Sequence, residues 1–290
     1  MSVTGLTESV TLHNGVQMPK LGLGSSPHGG YEHDSVVYAL TEVGYRHIDT
    51  AKRYMVEEEV RESIKASGLK REDLWVTSKL WPTGYGYEKT LRTFHGTLKR
   101  LGLEYLDLYL MHWPNVLKGD QKAVHLDTWR AMEEIYNKGL ARAIGVSNFS
   151  VEHLENIIEN ANIKPMVNQI ELHPYNNPKE LVDFCRKAQI QLEAYCPLAR
   201  AQMFDDPTLV KMAEKYKKTG AQILLRWSIQ NGFVTVPKSV KKKRIFENSQ
   251  IFDFSLSQED MDVLNGLDKG LNTLCTGVVL GMEWESENED

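Results

Sequence analysis

The sequence predicts an α/β fold, a closed (β/α)8 barrel of the TIM type with an N-terminal β-hairpin closing its bottom. Two observations favour this fold: eight short apolar runs follow one another along the 290 residues, and stretches with helical periodicity separate them. Short apolar strands alternating with helices indicate a parallel sheet, and eight of them in this length indicate a closed barrel. Because no Pro/Ser-rich linker or composition shift divides the chain, residues 1–290 are expected to form a single domain.

The first predicted element is the hairpin. The segment His13-Asn14-Gly15 lies between two apolar runs, Thr11-Leu12 and Val16-Gln17-Met18. An Asn-Gly pair in that position is a strong hairpin signal, because both residues accept the positive φ of a type I′ turn. The hairpin precedes the repeating part of the chain, so we expect it to plug one end of the barrel.

The eight predicted strands share a short length and an apolar composition. They are residues 21–24, 45–49, 74–79, 106–112, 143–147, 166–172, 191–195 and 233–237. Helical periodicity lies between them, for example at 88–100, 126–137 and 207–216. The acidic run Glu57-Glu58-Glu59 is typical of a first helical turn, where carboxylates suit the positive end of the helix dipole.

Composition argues against several classes of protein. A hydrophobic content of 41% and a charged content of 25% are ordinary for a soluble globular protein. No apolar run approaches the roughly 18 residues of a membrane span, and the N-terminus lacks the layout of a signal peptide. A formal charge of −5 argues against a nucleic-acid binder. Three cysteines stand apart, outside any metal-binding spacing, so we expect reduced thiols, a cytoplasmic location and no metal site.

Polar side chains stand at the carboxyl ends of the predicted strands. In chain order they are Asp49, Lys79, His112, Ser147 with Asn148, Gln169, Tyr195, and Lys238 with Ser239. Taken singly, each has a structural explanation: a solvated strand end for Lys79, a hydrogen-bonded histidine for His112, a helix cap for Asn148. Because the carboxyl ends of barrel strands meet at one face, their joint occurrence predicts a functional pocket there.

Asp49, Tyr54, Lys79 and His112 make chemical sense as a proton-donating set. A free phenol has a pKa near 10, and a nearby ammonium lowers that pKa by favouring the phenolate. A carboxylate can keep the lysine charged and oriented, so Asp49 and Lys79 would tune Tyr54 as a general acid. His112 can orient a substrate carbonyl by donating a hydrogen bond. No nucleophile stands beside a base in this set, which disfavours a hydrolase triad.

The stretch 236–248 is basic in an otherwise acidic protein. Lys238, Ser239 and Arg244 lie at its expected junction of a strand and a helix. Ammonium, hydroxyl, backbone N–H and guanidinium groups at a helix start are the donors that a phosphate monoester needs. A solvated basic run or a localisation patch is the other explanation. The segment 22–27 begins like a dinucleotide-binding fingerprint but has proline at its third glycine position, so it fails as one.

These residues belong to longer motifs that cover essentially the whole chain. The motifs are Met18-Pro19-Lys20-Leu21-Gly22-Leu23-Gly24, Gly44-Tyr45-Arg46-His47-Ile48-Asp49-Thr50-Ala51 with Tyr54, Thr77-Ser78-Lys79-Leu80-Trp81, Leu106-Asp107-Leu108-Tyr109-Leu110-Met111-His112-Trp113-Pro114, Ala143-Ile144-Gly145-Val146-Ser147-Asn148-Phe149, Val167-Asn168-Gln169-Ile170-Glu171-Leu172-His173-Pro174, and the run from Pro237-Lys238-Ser239 to Asn248. With these motifs the chain resembles the aldo-keto reductase superfamily.

The resemblance implies a monomeric or weakly associating carbonyl reductase on a TIM barrel, dependent on NADPH and acting on a small-molecule carbonyl substrate. It implies a catalytic tetrad of Asp49, Tyr54, Lys79 and His112, with Tyr54 as the acid. The implied substrate mouth consists of Tyr54, Trp81, His112 and Trp113.

The resemblance also implies a set of NADPH contacts. They are Ser147, Asn148 and Gln169 for the nicotinamide amide, Tyr195 for stacking on the nicotinamide ring, Lys238, Ser239 and Arg244 for the 2′-phosphate, and Glu247 and Asn248 for the adenine. Gly24, Ser25, Asp49, Cys196, Leu198 and Val240 complete the implied cofactor site.

The short tail after Leu267 resembles the compact branch that includes 2,5-diketo-gluconate and glyoxal reductases. The chain departs from the family pattern at three places, and the residues there are Met55-Val56 for a small residue and asparagine, Ser26 for an aromatic, and Ala199 for a glycine. The first two departures bear on the substrate pocket and the third on the pyrophosphate loop. A thin pocket wall predicts activity on small, reactive aldehydes and dicarbonyls in preference to bulky steroids.

Two other functions remain open from the sequence. One is a metal-dependent barrel hydrolase that uses Asp49, His112, Glu171 and His173, although it leaves Lys79 and the basic stretch unexplained. The other is a barrel that binds the nucleotide for a redox-sensing or structural role with little turnover, against which the intact tetrad argues.

Overall fold

The predicted barrel is present in the computed structural model, which describes residues 5–26 and 29–273. Eight parallel strands, β3 to β10, form one sheet in chain order. Their bounds are Leu23–Gly24 (β3), His47–Asp49 (β4), Trp75–Leu80 (β5), Leu106–Met111 (β6), Ala141–Ser147 (β7), Val167–Glu171 (β8), Gln191–Tyr195 (β9) and Val234–Thr235 (β10). The fold class predicted from the sequence is confirmed.

The first and last strands of this sheet meet through single bridges. Leu21 pairs with Thr235 and Gly24 pairs with Lys238, both in parallel. The Gly24 amide donates to the Pro237 carbonyl at 3.1 Å. Because the two sides meet at isolated pairs and not along a continuous ladder, β3 and β10 are shorter than the apolar runs that predicted them.

The N-terminal hairpin lies against the amino ends of the barrel strands. Its strands, β1 (Ser9–Thr11) and β2 (Gln17–Pro19), pair antiparallel. Gly15 in the turn has a φ of +85°, a left-handed conformation that favours glycine. The Asn14 side-chain amide donates to the Arg142 carbonyl oxygen at 3.0 Å, next to the start of β7. The turn predicted from Asn-Gly is therefore confirmed, and its asparagine also ties the hairpin to the barrel.

Helices follow the strands around the outside. They are α1 (His33–Tyr38, continued by a π-helical turn at Ala39–Val43), α2 (Glu57–Ser67), α3 (Tyr87–Leu101), α4 (Gln121–Asn137), α5 (Val151–Asn160), α6 (Lys179–Ala188), α7 (Pro207–Tyr216), α8 (Gly220–Gln230), α9 (Lys242–Ser249) and α10 (Gln258–Asn265). The helices expected at 88–100, 126–137 and 207–216 are confirmed as α3, α4 and α7. Within the described residues, no helix combines the length and apolar character that a bilayer crossing needs.

Polar side chains fill part of the barrel interior. Side chains alternate across a strand, so every second residue points to the barrel axis. The inward residues that contact one another are His47 and Asp49 of β4, Thr77 and Lys79 of β5, Gln169 of β8 and Glu193 of β9. All six are buried. Barrel interiors are commonly filled by bulky branched side chains, so this polar interior indicates a functional site and not only a packed core.

A separate charge cluster stabilises the opposite end of the barrel. Asp107, near the start of β6, is fully buried. Its two carboxylate oxygens accept hydrogen bonds from Arg71 and Arg142, each at 2.7 Å. A buried carboxylate with both oxygens paired to guanidinium groups keeps its charge satisfied. This cluster joins the loop before β5 to β6 and β7 without touching the carboxyl ends of the strands.

Candidate active site

The carboxyl ends of β4, β5 and β6 bring the four predicted catalytic residues together. Asp49 is the last residue of β4, Lys79 is the next-to-last residue of β5, and His112 directly follows β6. Tyr54 ends a short 3-10 turn, Lys52–Tyr54, that begins after the loop leaving β4. This turn brings the phenol back over the strand ends.

An ion pair between Lys79 and Asp49 lies at the centre of the site. Lys79 Nζ donates to Asp49 Oδ1 at 2.7 Å, to Oδ2 at 2.8 Å and to the Thr50 carbonyl at 3.0 Å. The same nitrogen lies 3.5 Å from the Tyr54 hydroxyl and 5.0 Å from the centre of its ring. Since Lys79 is fully buried, its charge acts on the phenol with little screening by water.

Burial and these charges shift the pKa values of the pair in known directions. Burial by itself lowers the pKa of Lys79, but the neighbouring acidic groups, Asp49 first among them, together outweigh it, and the pKa is raised overall. Burial raises the pKa of Tyr54 to about 12, against the opposing effect of Lys79. The sequence-based expectation of a lowered phenol pKa is therefore right for the contribution of Lys79 and wrong for the net shift. The phenol is protonated at neutral pH, which is the form that a general acid needs.

His112 is neutral in this environment. Burial, assisted by the charges of Lys79 and Arg53, lowers the pKa of His112 well below 6.5. Its ring packs edge-on against Tyr54 at 5.6 Å and against Trp81 at 5.2 Å between centroids. A neutral imidazole donates one hydrogen bond, so His112 can offer an N–H to an oxygen atom beside Tyr54.

The predicted substrate mouth is partly defined. Trp81 is buried, and the Arg53 guanidinium carbon lies 5.3 Å from its ring centre. The backbone of Trp113 is fixed by Tyr85, whose hydroxyl donates to the Trp113 carbonyl. Met55 is 70% exposed and has a φ of +55°. That φ favours glycine and costs a residue with a side chain about 1–2 kcal/mol. The backbone conformation therefore accounts for the small residue that the family pattern has at this position.

The residues predicted to hold the nicotinamide lie on the neighbouring strands β7, β8 and β9, with Ser147 and Tyr195 at strand ends and Gln169 in the middle of β8. Ser147 Oγ donates to the Gln169 carbonyl at 2.8 Å. Asn148 Nδ2 donates to the His112 carbonyl at 3.0 Å, and Tyr195 OH donates to Asn148 Oδ1 at 2.7 Å. Asn148 has a φ of +65°, a conformation that asparagine tolerates better than most residues. The Asn148 side chain thus links the predicted catalytic and nicotinamide residues.

The loop after β3 is tied to the tetrad by Ser25. Its amide and its hydroxyl both donate to the Asp49 carbonyl, at 2.9 Å and 3.0 Å. Gly24, beside it, carries the bridge to Lys238 described above. Positions 27 and 28 of this loop lie outside the described residues.

The turn after β9 has an unusual backbone. Cys196 and Ala199 have φ values of +45° and +46°, and the half-buried Leu198 lies between them. The left-handed φ of Ala199 explains why a glycine is expected there. Cys185 and Cys196 are both free thiols, while Cys275 lies outside the described residues.

The predicted phosphate residues surround the start of α9. Lys238 is half-buried, and burial lowers the pKa of its ammonium. Ser239 Oγ accepts from the Lys241 amide at 3.1 Å. Helix α9 begins at Lys242 without a side-chain cap on its first turn, and Arg244 is exposed in that turn. Lys238 and Arg244 thus lie on either side of a helix start whose first turn has no side-chain cap.

The remaining predicted cofactor residues lie on or beside α9. Glu247 accepts a hydrogen bond from Thr219 Oγ1 at 2.8 Å, and Asn248 is buried. The Val240 carbonyl accepts from Ser35 Oγ at 2.7 Å. The two predicted adenine residues thus lie one turn beyond Arg244 on the same helix.

Two interior residues were missed by sequence reasoning. Glu193 is fully buried and accepts from Gln169 Nε2 at 2.7 Å; its other oxygen lies 3.4 Å from His47 Nε2. The available signal was period-two alternation, because Glu193 precedes Tyr195 by two residues and His47 precedes Asp49 by two. Both therefore point to the barrel axis with residues that were predicted.

The set proposed for a metal hydrolase does not converge. Glu171 Oε1 accepts from the Thr273 amide at 2.7 Å and lies 3.2 Å from His173 Nε2, whereas Asp49 is paired with Lys79. Among residues 5–26 and 29–273, no three histidine, cysteine, aspartate or glutamate side chains are grouped so that they could hold a metal ion.

Comparisons with known proteins identify the family of this chain. A family model described as "Aldo/keto reductase family" matches residues 22–269. Glyoxal reductase of Bacillus subtilis (strain 168) is 52% identical over 267 residues, which cover 92% of this chain and 95% of that protein. The crystal structure of MGS-M4, an aldo-keto reductase from a deep-sea metagenome, is 46% identical with a TM-score of 0.85, covering 91% of this chain and 96% of that one. An aldo-keto reductase of Bombyx mori in complex with NADP is 36% identical with a TM-score of 0.86, covering 93% and 96%.

Proposed function

Since this chain belongs to the aldo/keto reductase family, we propose that it reduces aldehydes and ketones to alcohols, with NADPH as the hydride donor and Tyr54 as the proton donor. The observation that carries this proposal is the buried Lys79–Asp49 ion pair, whose ammonium lies 3.5 Å from the Tyr54 hydroxyl. A phenol, an ammonium, a carboxylate and a neutral imidazole at one face are the groups that protonation of a carbonyl oxygen requires.

The donor set of the site fits a 2′-phosphorylated dinucleotide. The uncapped start of α9 offers backbone N–H groups beside Lys238 and Arg244, which suits a phosphate dianion. Ser147, Asn148 and Gln169 would hold the carboxamide of the nicotinamide, and Tyr195 would stack on its ring. The NADP complex of the Bombyx mori relative supports this choice of cofactor.

The tetrad divides the proton chemistry among its members. His112 donates a hydrogen bond that orients the substrate oxygen toward Tyr54, and Tyr54 gives its proton to that oxygen. As the proton leaves, negative charge develops on the phenol oxygen, and the Lys79 ammonium stabilises it. Asp49 holds Lys79 charged and in place. Lys79 therefore acts mainly on the charge that appears during the reaction, which is where an electrostatic interaction accelerates a step.

The substrate class follows from the thin wall of the pocket. Ser26 stands where an aromatic residue was expected, and the 52% identical relative is a glyoxal reductase. We expect kcat/KM to be highest for small aldehydes and dicarbonyls when loss of NADPH absorbance is followed over a substrate panel. A steroid ketone with a kcat/KM above every small aldehyde would overturn this substrate class. Tight NADPH binding without turnover of any carbonyl would instead support the nucleotide-binding barrel.

The proposal also includes the setting in which the enzyme works. We take residues 1–290 as one barrel domain acting as a monomer in the cytoplasm, without nucleic-acid or membrane partners. The unbroken strand order from β3 to β10 supports the single domain.

Arg244→Ala is expected to weaken NADPH binding by about 10- to 150-fold and to leave NADH binding nearly unchanged. The two cofactors differ by the 2′-phosphate, and a hydrogen bond to a charged group contributes roughly 1.5–3 kcal/mol, with about 1.4 kcal/mol for each tenfold in affinity. The measurement is the pair of dissociation constants from fluorescence quenching at fixed ionic strength, because such contacts are screened by salt.

The matched control is Arg92→Ala, which removes the same exposed charge from α3. It should leave both dissociation constants close to wild type. Equal losses of affinity for NADPH and NADH in Arg244→Ala would show that the arginine stabilises the fold or binds the adenine and does not bind the 2′-phosphate.

A further inference from the structure

A buried carboxyl group beneath the tetrad has no part in the proton chemistry described above. Glu193, on β9, is fully buried inside the barrel. Its neighbours come from three other strands: His47 and Asp49 from β4, Lys79 from β5 and Gln169 from β8. Two carboxyl groups, Glu193 and Asp49, thus lie near the buried Lys79 ammonium. Asp49 forms the ion pair with it, and Glu193 feels its charge from further away.

The Gln169 amide is held from both sides by these carboxyl groups. Its Nε2 donates to Asp49 Oδ2 at 2.8 Å and to Glu193 Oε2 at 2.7 Å. An amide nitrogen has two hydrogens, so both are used, and the amide oxygen of Gln169 is left as an acceptor. Rotating the amide by half a turn would place that oxygen against two carboxyl oxygens, which is unfavourable. The orientation of the Gln169 amide is therefore fixed by Glu193 and Asp49 together.

The surroundings of the second Glu193 oxygen indicate that this carboxyl group carries a proton. His47 Nδ1 lies 3.3 Å from the Pro19 carbonyl, an acceptor only, so the hydrogen of a neutral His47 belongs on Nδ1. His47 Nε2 must then accept, and Glu193 Oε1 and Thr77 Oγ1 each lie 3.4 Å from it. Among the described residues, Oε1 has no other hydrogen-bond partner. An O–H at Oε1 would satisfy both atoms, whereas an ionised Glu193 would leave a charged buried oxygen unpaired.

We propose that Glu193 is a positioning residue for the nicotinamide: protonated at neutral pH, it fixes the Gln169 amide, and when it ionises it favours the oxidised, cationic dinucleotide over the reduced, neutral one. This inference rests on the proposed function, because it takes Gln169 as the residue that holds the carboxamide. A negative charge one hydrogen bond below that residue attracts a positively charged ring and is indifferent to a neutral one.

The titration behaviour of the cluster agrees with this geometry. Burial, followed by the Asp49 charge, raises the pKa of Glu193 to about 8, and burial lowers the pKa of His47 to about 4. The pKa of Lys79 is raised above its ordinary 10.5, that of Tyr54 is raised to about 12, and that of the nearby Cys196 is raised above 9.0. His112 stays neutral, since its pKa lies well below 6.5. Between pH 7 and 9, Glu193 is therefore the group of this cluster that changes charge.

The test is the pH dependence of cofactor binding in the full-length protein. Dissociation constants for NADPH and for NADP+ are measured by fluorescence quenching from pH 7 to 9.5 at fixed ionic strength. In the wild type, NADP+ should tighten relative to NADPH by about tenfold across this range, which corresponds to two opposite unit charges roughly 12 Å apart at an effective dielectric constant near 20. Calorimetry in buffers of different ionisation enthalpy should detect proton release on binding NADP+ at pH 8 and none on binding NADPH.

Two substitutions separate the proton from the hydrogen bonds. Glu193→Gln imitates the neutral acid, since its amide can accept from Gln169 and donate to His47. It should keep NADPH affinity at pH 7 within about 3-fold of wild type and abolish the pH dependence. Glu193→Leu removes the hydrogen bonds as well and should weaken NADPH binding by up to about 10-fold at every pH, the effect of one lost hydrogen bond.

The matched control is Glu57→Gln, a buried carboxylate outside the barrel that accepts from Ser78 and Arg100. It should lower stability and leave the pH profile of cofactor binding as in the wild type. A wild-type pH profile in Glu193→Gln would overturn the proposal, since the titrating group would then be elsewhere. Wild-type NADPH affinity in Glu193→Leu would equally overturn it, because Gln169 would not need Glu193.

Two readouts without cofactor distinguish failure of this inference from failure of the proposed function. Infrared difference spectra of wild type minus Glu193→Gln should show the carbonyl stretch of a protonated carboxyl group at pH 6 that is lost by pH 10. A carboxyl group whose pKa is raised on folding destabilises the fold progressively as pH rises from its ordinary 4.5 through about 8. The melting temperature of Glu193→Gln minus that of the wild type should therefore increase as the pH rises from 5 to 9. Presence of both signals without any dinucleotide binding would refute the proposed function; absence of both would refute a protonated Glu193.

Discussion

Tyr54→Phe is expected to lower kcat by about 10²–10⁴-fold while leaving the dissociation constant of NADPH near its wild-type value. Phenylalanine preserves the ring that packs on His112 at 5.6 Å and removes only the proton and the oxygen. The phenol is protonated at neutral pH, so the wild type has this proton to give and the variant does not. Steady-state reduction of a small aldehyde, with NADPH binding measured in parallel, checks both parts of the expectation.

Tyr45→Phe serves as the control for loss of a buried tyrosine hydroxyl. Tyr45 OH donates to the Ile245 carbonyl at 3.1 Å, away from the tetrad. This variant should lose some stability and keep its kcat. Near-normal turnover by a correctly folded Tyr54→Phe protein would remove the tyrosine from the mechanism.

Lys79→Met should reduce both activity and stability. The kcat should fall by a factor similar to that of Tyr54→Phe, because the charge that stabilises the developing phenolate is gone. Stability should fall by about 3–5 kcal/mol, since the substitution leaves the Asp49 carboxylate buried without its ion-pair partner. Urea unfolding at neutral pH measures the second effect, and aldehyde reduction measures the first.

The double variant Asp49→Asn with Lys79→Met separates these two losses. Removing the second charge as well should restore much of the stability, because no unpaired ion remains, while activity should stay low. If the double variant regained kcat along with stability, Lys79 would act on the reaction only by maintaining the fold.

The tetrad could be predicted from the sequence because its geometry depends on strand order. Once Asp49, Lys79 and His112 are placed at the ends of neighbouring parallel strands, the barrel brings them together whatever the details of packing. The sign of the Tyr54 pKa shift could not be predicted in the same way. It depends on how completely the phenol is desolvated, and no residue near Tyr54 in the sequence reports that.

Glu193 and His47 show a second limit of sequence reasoning. Each is a polar residue within a short predicted strand, and many such residues are satisfied core groups or solvent-facing positions. Their role becomes apparent only when the register of β4, β8 and β9 aligns them with Asp49 and Gln169. The proposed phosphate residues were easier to predict, because Lys238 to Asn248 form a continuous local segment around one helix start.

The junction between β3 and β10 should link cofactor binding to closure of the barrel. Residues 25–237 lie between Gly24 and Lys238, so among the pairings of the barrel sheet this seam has the largest sequence separation and the largest closure entropy. Lys238 is also the residue proposed to grip the phosphate, next to Gly24 on the opposite side of the seam. A dinucleotide bound there would contact both β3 and the segment after β10, the two edges that must separate when the barrel unfolds. Cofactor binding and barrel closure are then linked equilibria, and the loaded enzyme is expected to resist unfolding at this seam more than the empty barrel does.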